Sequence, residues 1–207
     1  MKIIIDILMF ILMLLEFSKG YLSPILHEIL GIALCILIII HLILNKSYIK
    51  NIFKGKYNTK RWIMLIINLA FLITFSISLI FGLLSSQEIL KFLNIKSMTI
   101  TNLHKVFSYI SLIIFGLHLG INFTAMFGNI EKKINKIVIY IIDIVLIIYG
   151  AYSCVKLDIL KHITGTYGFS ILDGNILINI LRYLSIIMIL AIITNKLYNL
   201  KRKDNKK

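Results

Sequence analysis

Six long apolar runs, separated by short basic segments, leave this chain few folds to choose from. Inside a bilayer no water satisfies backbone N–H and C=O groups, so a spanning segment closes its own hydrogen bonds as a helix. Crossing takes roughly 20 apolar residues. The runs are residues 3–17, 24–44, 62–84, 103–123, 134–155 and 176–195. The first is short and carries Asp6 and Glu16. Asp6 interrupts it and no small-x-small cleavage site follows, so it reads as a retained first span and not a signal peptide. Only 15% of residues are charged and 59% are hydrophobic, against about a quarter charged in a soluble domain. The expectation is an all-α integral membrane helix bundle with about six transmembrane helices. Ser23 before Pro24 suits the N-cap and first helical position of the second span, and Thr101 or Asn102 suits the cap of the fourth.

The net charge of +14 would suggest nucleic acid in a soluble protein. Here the basic residues lie mostly between the spans, and no aromatic-basic platform accompanies them, so nucleic acid is not an expected partner. Of 23 Lys and Arg, 16 fall on one side: Lys2, the segment 46–61, Lys132, Lys133, Lys136, and the tail Lys196, Lys201, Arg202, Lys203, Lys206 and Lys207. The positive-inside rule puts that side, with both termini, in the cytoplasm. On the other side, residues 87–95 suit an amphipathic helix on the outer leaflet, and residues 156–175 read as a loop. Cys35 and Cys154 form no CxxC, so neither a disulfide framework nor a zinc site is expected.

Histidines carry the sharpest signal. His27 and His41 are 14 residues apart, and so are His104 and His118. Two heptads keep both members of a pair on one seam, within about 40° on a straight helix and roughly 21 Å apart along it. The second and fourth spans run in the same direction. His27 and His104 therefore share an outer level, and His41 and His118 an inner one. The flanks repeat at an offset of 77: Leu26-His27 matches Leu103-His104, and His41-Leu42-x-x-Asn45 matches His118-Leu119-x-x-Asn122. A lone membrane histidine is usually a helix–helix hydrogen-bonding group, but that does not explain two equal spacings with matching flanks. Zinc wants three or four convergent ligands, and each level has two. Two axial imidazoles per level suit a haem iron, with no axial position left for oxygen. The expectation is two stacked haems held between the second and fourth spans. Gly31 and Ser108, one turn inward, are small at equivalent positions and leave room for a macrocycle or for close helix packing.

The His-x13-His pair on parallel helices resembles the haem core of the cytochrome b superfamily. The short first span, His27-Glu28-Ile29-Leu30-Gly31, and His41-x-x-x-Asn45 before a basic inner loop resemble one prokaryotic branch, the flavinylation-associated cytochromes. The resemblance covers roughly residues 1–125, a two-haem cytochrome b-like core. Residues 126–207, two further helices and a basic tail, extend past it. It implies a four-helix haem core in which His27, His41, His104 and His118 ligate two b-type haems. It further implies electron delivery across the bacterial cytoplasmic membrane to an extracytoplasmic flavin-carrying protein, drawing on quinol or a cytoplasmic donor.

Haem propionates need cationic or amide partners. Lys46, Arg61, Asn45 and Asn122 on the inner side are candidates, as are Lys105 and Arg182 on the outer; for the lysines, topology signalling explains as much. Asp143, near the middle of the fifth span, suits a proton relay, a quinone contact or a hydrogen bond to a neighbouring helix. Glu28 suits a proton acceptor in quinol oxidation or an interfacial carboxylate. His162 reads as a solvated loop histidine. Three function classes stay open: an electron conduit, a quinone-reactive subunit of a larger oxidoreductase, and a transporter using polar intramembrane residues. Haem content separates the third from the other two.

Overall fold

The computed structural model describes residues 2–166 and 174–204, with the side chains of all of these except 129–131 and 200–204. Its elements run α1 (Lys2–Glu16), α2 (Pro24–Leu44), α3 (Lys46–Asn51), α4 (Thr59–Leu84), α5 (Met98–Glu131), α6 (Lys136–Lys156), α7 (Ile159–Thr164) and α8 (Ile176–Asp204). Short 3-10 turns sit at Lys19–Tyr21 and Lys91–Leu93, and among the described residues there is no strand. Five helices, α2, α4, α5, α6 and α8, are long and apolar enough to cross a membrane. The protein is an all-α, multi-pass membrane bundle.

The first apolar run is the exception to six such helices. Its 15 residues reach roughly 22 Å, short of a hydrocarbon core of about 30 Å. Even so, α1 lies against α2 from end to end. Lys2 Nζ donates to Asn45 Oδ1 near the C-terminal end of α2 (3.3 Å), and Glu16 meets His27 near its start. At that first end also lies Lys60 of α4, over the ring of Tyr198 on α8. Lys2, the 46–61 segment and the C-terminal part of α8 thus gather at one end of the bundle. Lys206 and Lys207 of the basic tail lie outside the described residues.

Caps explain most of the boundaries. Ser23 Oγ accepts from Leu26 N-H ahead of Pro24, Asn58 Oδ1 from Arg61 N-H, and Asn135 Oδ1 from Ile137 N-H. The fourth apolar run starts earlier than expected, at Met98. Thr101 therefore sits inside α5 and donates back to Ser97 O instead of capping.

Helix α5 is the hub. It packs on α4 along one side and on α8 along another, and α6 packs on α8. Gly116 and Gly120 allow the α5–α8 approach: a Cβ on Gly120 would lie 2.7 Å from Ala191 O, and one on Gly116 2.7 Å from Leu190 Cβ. Small residues four apart are a common device for drawing membrane helices together. Leu112, Leu119, Ile186, Ile187 and Ala191 are buried between these helices. Because α5 runs unbroken to Glu131, the sequence division at 125–126 falls inside it. Helices α2 and α4 turn most of their apolar surface outward, as lipid-facing helices do.

Two outer segments depart from expectation. Residues 87–95 form bends and a 3-10 turn, not an amphipathic α-helix. Their N-H groups are taken elsewhere: Gln87, Glu88 and Ile89 donate to the Glu28 carboxylate, and Leu90 to Ser86 Oγ. The 156–175 segment contains α7; its residues 167–173 lie outside the described ones.

Candidate functional site

Helix α1 packs on α2 and α4 on α5, while α2 packs closely on neither α4 nor α5. The two hairpins meet through side chains, and the histidines stand between them. At the outer level the rings of His27 and His104 meet in an edge-on arrangement, with centroids 6.3 Å apart and planes at 69°. Among the described residues no such ring contact joins His41 and His118, which lie 14 residues further along α2 and α5.

All four histidines have Nδ1 against an oxygen of the adjacent helix. On the α1 side, His41 Nδ1 is 2.8 Å from Asp6 Oδ1 and His27 Nδ1 is 2.9 Å from Glu16 Oε2. The first is an aligned hydrogen bond. The second is a close contact with a carboxylate that misses hydrogen-bond alignment. On the α4 side, His104 Nδ1 donates to Ser78 O at 2.8 Å and His118 Nδ1 to Asn68 Oδ1 at 2.9 Å. A proton held on Nδ1 makes Nε2 the lone-pair nitrogen, and metal-binding histidines are commonly fixed by such a bond.

Other residues shape these rings. A Cβ on Gly82 would lie 3.0 Å from both Cε1 and Nδ1 of His104, so the missing side chain is where the ring sits. Phe71 stacks on His118 at 5.4 Å. Asn45 and Asn122 repeat one local bond, each Nδ2 donating at 2.9 Å to the carbonyl of the histidine four residues back. Asn45 Nδ2 also lies 3.3 Å from His41 Nε2, a weak contact that a ligand on that nitrogen would displace.

The remaining sequence candidates are placed as follows. Gly31 faces the Glu16 carboxylate, which a Cβ there would meet at 3.6 Å. Ser108 is turned to α4, its Oγ 2.7 Å from Ser78 Oγ. Arg61 clasps the α3–α4 connection, donating to carbonyls of Asn51, Ile52 and Lys56 and stacking on Tyr57. Arg182 is buried on α8. Asp143 pairs with Lys196 of α8 at 3.0 Å. Glu28 accepts four bonds of 2.6–3.1 Å, from Ser86 Oγ and from the N-H groups of Gln87, Glu88 and Ile89. It thereby pins the α4–α5 connection onto α2 beside His27.

His162 is a correction. It is not solvated but buried on α7, parallel to Tyr109 at 4.2 Å. Burial pushes its imidazole below the usual histidine range, with the Lys105 charge acting the same way.

Asp6 and Glu16 were visible in the sequence only as charges interrupting an apolar run. Asn68, Ser78 and Gly82 carried no signal of their own. Their acceptor spacing is a signal in hindsight: Asp6 to Glu16 and Asn68 to Ser78 are both ten residues.

The donor set can be tested against the expected cofactor. Two facing imidazoles on one metal put their centroids roughly 6 Å apart, from metal–nitrogen bonds of about 2.0–2.1 Å. The outer pair is spaced accordingly. Among the described residues no group of three or more His, Cys, Asp or Glu side chains converges on one point, whereas an axial pair needs only two. Comparison with protein-family models, curated proteins and solved structures yields no match.

Proposed function

We propose that the chain carries electrons across the membrane on two b-type haems, one held by His27 and His104 and one by His41 and His118. The observation that supports this best is the shared treatment of Nδ1. Four imidazoles on two helices each have that nitrogen against an oxygen of the neighbouring helix. Hydrogen bonding between helices alone gives no reason for four histidines to repeat one arrangement at matched spacing.

Haem, when bound, supplies a one-electron iron couple. The chain's own residues do the rest. Glu16, Asp6, Ser78 and Asn68 fix ring orientation, and Gly82 admits the His104 ring. Gly116 and Gly120, displaced by two residues on either side of His118, seat α8 on the far face of α5. The apolar surfaces of α2 and α4 keep the site out of water. This also gives α6 and α8 a part as the backing of the α4–α5 hairpin.

The basic end of the bundle belongs in the cytoplasm by the positive-inside rule. Passing electrons to a flavin-carrying protein on the opposite side is supported by the sequence resemblance alone. A quinone-reactive role draws no support from Asp143 or Glu28, whose carboxylates are engaged with Lys196 and with the 86–89 segment.

An optical spectrum of the purified protein, oxidised and dithionite-reduced, with haem quantified per chain, tests the reading. Sharp b-type bands at two haems per chain, halved in His118→Ala, are expected. Haem-free protein from a haem-replete host would overturn it and leave transport as the reading to pursue.

A further inference from the structure

The four histidines are not treated alike. Both on α2 face a carboxylate from α1, Glu16 for His27 and Asp6 for His41. Both on α5 face a neutral oxygen from α4, the Ser78 carbonyl for His104 and the Asn68 amide for His118. Every level thus sets one imidazole beside a carboxylate and the other against a neutral dipole.

We propose that α1 sets the electron affinity of both levels, with Asp6 and Glu16 as positioning residues that make His41 and His27 the electron-rich member of each pair. The inference rests on the haem reading above. An N-H donated to a carboxylate, as His41 donates to Asp6, makes a stronger, charge-assisted bond than one donated to an amide or peptide oxygen; at His27 the Glu16 carboxylate lies 2.9 Å from Nδ1 without hydrogen-bond alignment and acts through its charge. A carboxylate so placed draws negative charge onto the ring and raises the basicity of the other nitrogen. A more basic axial ligand favours the oxidised metal. Burial strengthens the effect, because a charge within 3 Å of the ring is poorly screened away from water.

Placing two carboxylates in an apolar helix is costly, and ionisable residues there mark function by default. Asp6 and Glu16 are the only Asp or Glu in α1, and each meets a histidine. Glu16 is further accommodated by Gly31, whose missing side chain leaves space beside its carboxylate. A purely structural α1 would be better served by apolar residues at both positions.

The test is a potentiometric titration of the full-length protein at one fixed pH, followed optically, with haem counted per chain. Asp6→Asn and Glu16→Gln keep the shape and remove the charge. Each is expected to raise a different one of the two transitions, by an amount equal to roughly a tenfold change in the oxidised-to-reduced ratio, about 59 mV for one electron. Asn68→Asp adds the charge on the other side and is expected to lower the inner transition.

Unmoved transitions with haem retained would overturn the proposal, as would shifts of opposite sign. If Asp6→Asn or Glu16→Gln loses haem, the sign of the Asn68→Asp shift decides. Loss of haem in all three variants would assign these residues to haem retention and also overturn it. Wild-type protein without haem would instead sink the underlying reading.

Discussion

Asp6 on α1 and Asn68 on α4 occupy equivalent places: each accepts the Nδ1 proton of the inner histidine packed against it, at 2.8 and 2.9 Å. The chain therefore uses one hairpin twice. A helix of acceptors precedes a helix of histidines in both halves, and the two halves face each other across the rings.

Removing the acceptor from one half tests how much it contributes. Asn68→Leu leaves the His118 Nδ1–H with no oxygen to donate to, a loss of about 1–3 kcal/mol for a buried polar group. Groups that hold the other ring nitrogen of a metal-binding histidine typically alter metal affinity 10–100-fold. Haem titration into apo protein should show one site weakened by that factor and the other unchanged. Equal weakening of both sites would mean that Asn68 holds the bundle together and does not orient His118.

Gly82 and His104 make a steric test at the other level. A Cβ at 3.0 Å from Cε1 and Nδ1 is tighter than packing normally allows. Gly82→Ala asks the ring to move by a few tenths of an ångström, and Gly82→Val pushes it off the Ser78 carbonyl. Protein carrying Gly82→Val should retain the inner haem and lose the outer one, read as half the haem per chain. Undiminished haem content would show that the ring position is not set by α4.

Five of the six expected spans, the shared seam of each histidine pair and the gathering of charge at one end were legible because they rest on periodicity and local composition. The partners of the histidines were not. Asn68 and Ser78 are ordinary residues of an apolar helix until α4 is laid beside α5, and a backbone carbonyl such as that of Ser78 has no sequence identity at all. Glu28 misled for a related reason. Its four donors lie 58–61 residues away, a pairing that no local pattern shows. Gly116 and Gly120 were legible in principle as small residues four apart, but only α8 shows what they admit.

Glu28 and Asp143 were sequence candidates for proton or quinone chemistry, and their contacts lead to a different expectation. Glu28→Ala strips four hydrogen bonds from the 86–89 connection. A loss on the order of 2 kcal/mol is expected, seen as a lower Tm and faster proteolysis between 86 and 97. Asp143→Asn removes the charge that pairs with Lys196 of α8. Haem reduction by an added quinol should proceed equally in wild type and Asp143→Asn. A selective loss of that reduction in Asp143→Asn would restore the quinone assignment.

Acid sensitivity should trace in part to His162. Its ring lies flat on Tyr109 and is buried, and burial holds its pKa below the usual value. In the unfolded chain it titrates near 6.5. Between that value and the lower folded one, the unfolded state binds the extra proton, so stability rises with pH across the window and falls as pH drops into it. The stabilisation is fully present above about pH 6.5 and is lost on acidification toward the folded-state pKa. His162→Phe keeps an aromatic ring against Tyr109 and removes the titration. Thermal unfolding at pH 7 and pH 5 should show a larger drop in Tm for wild type than for His162→Phe. Equal drops would place the ring's protonation outside the folding equilibrium and return α7 to a role in packing alone.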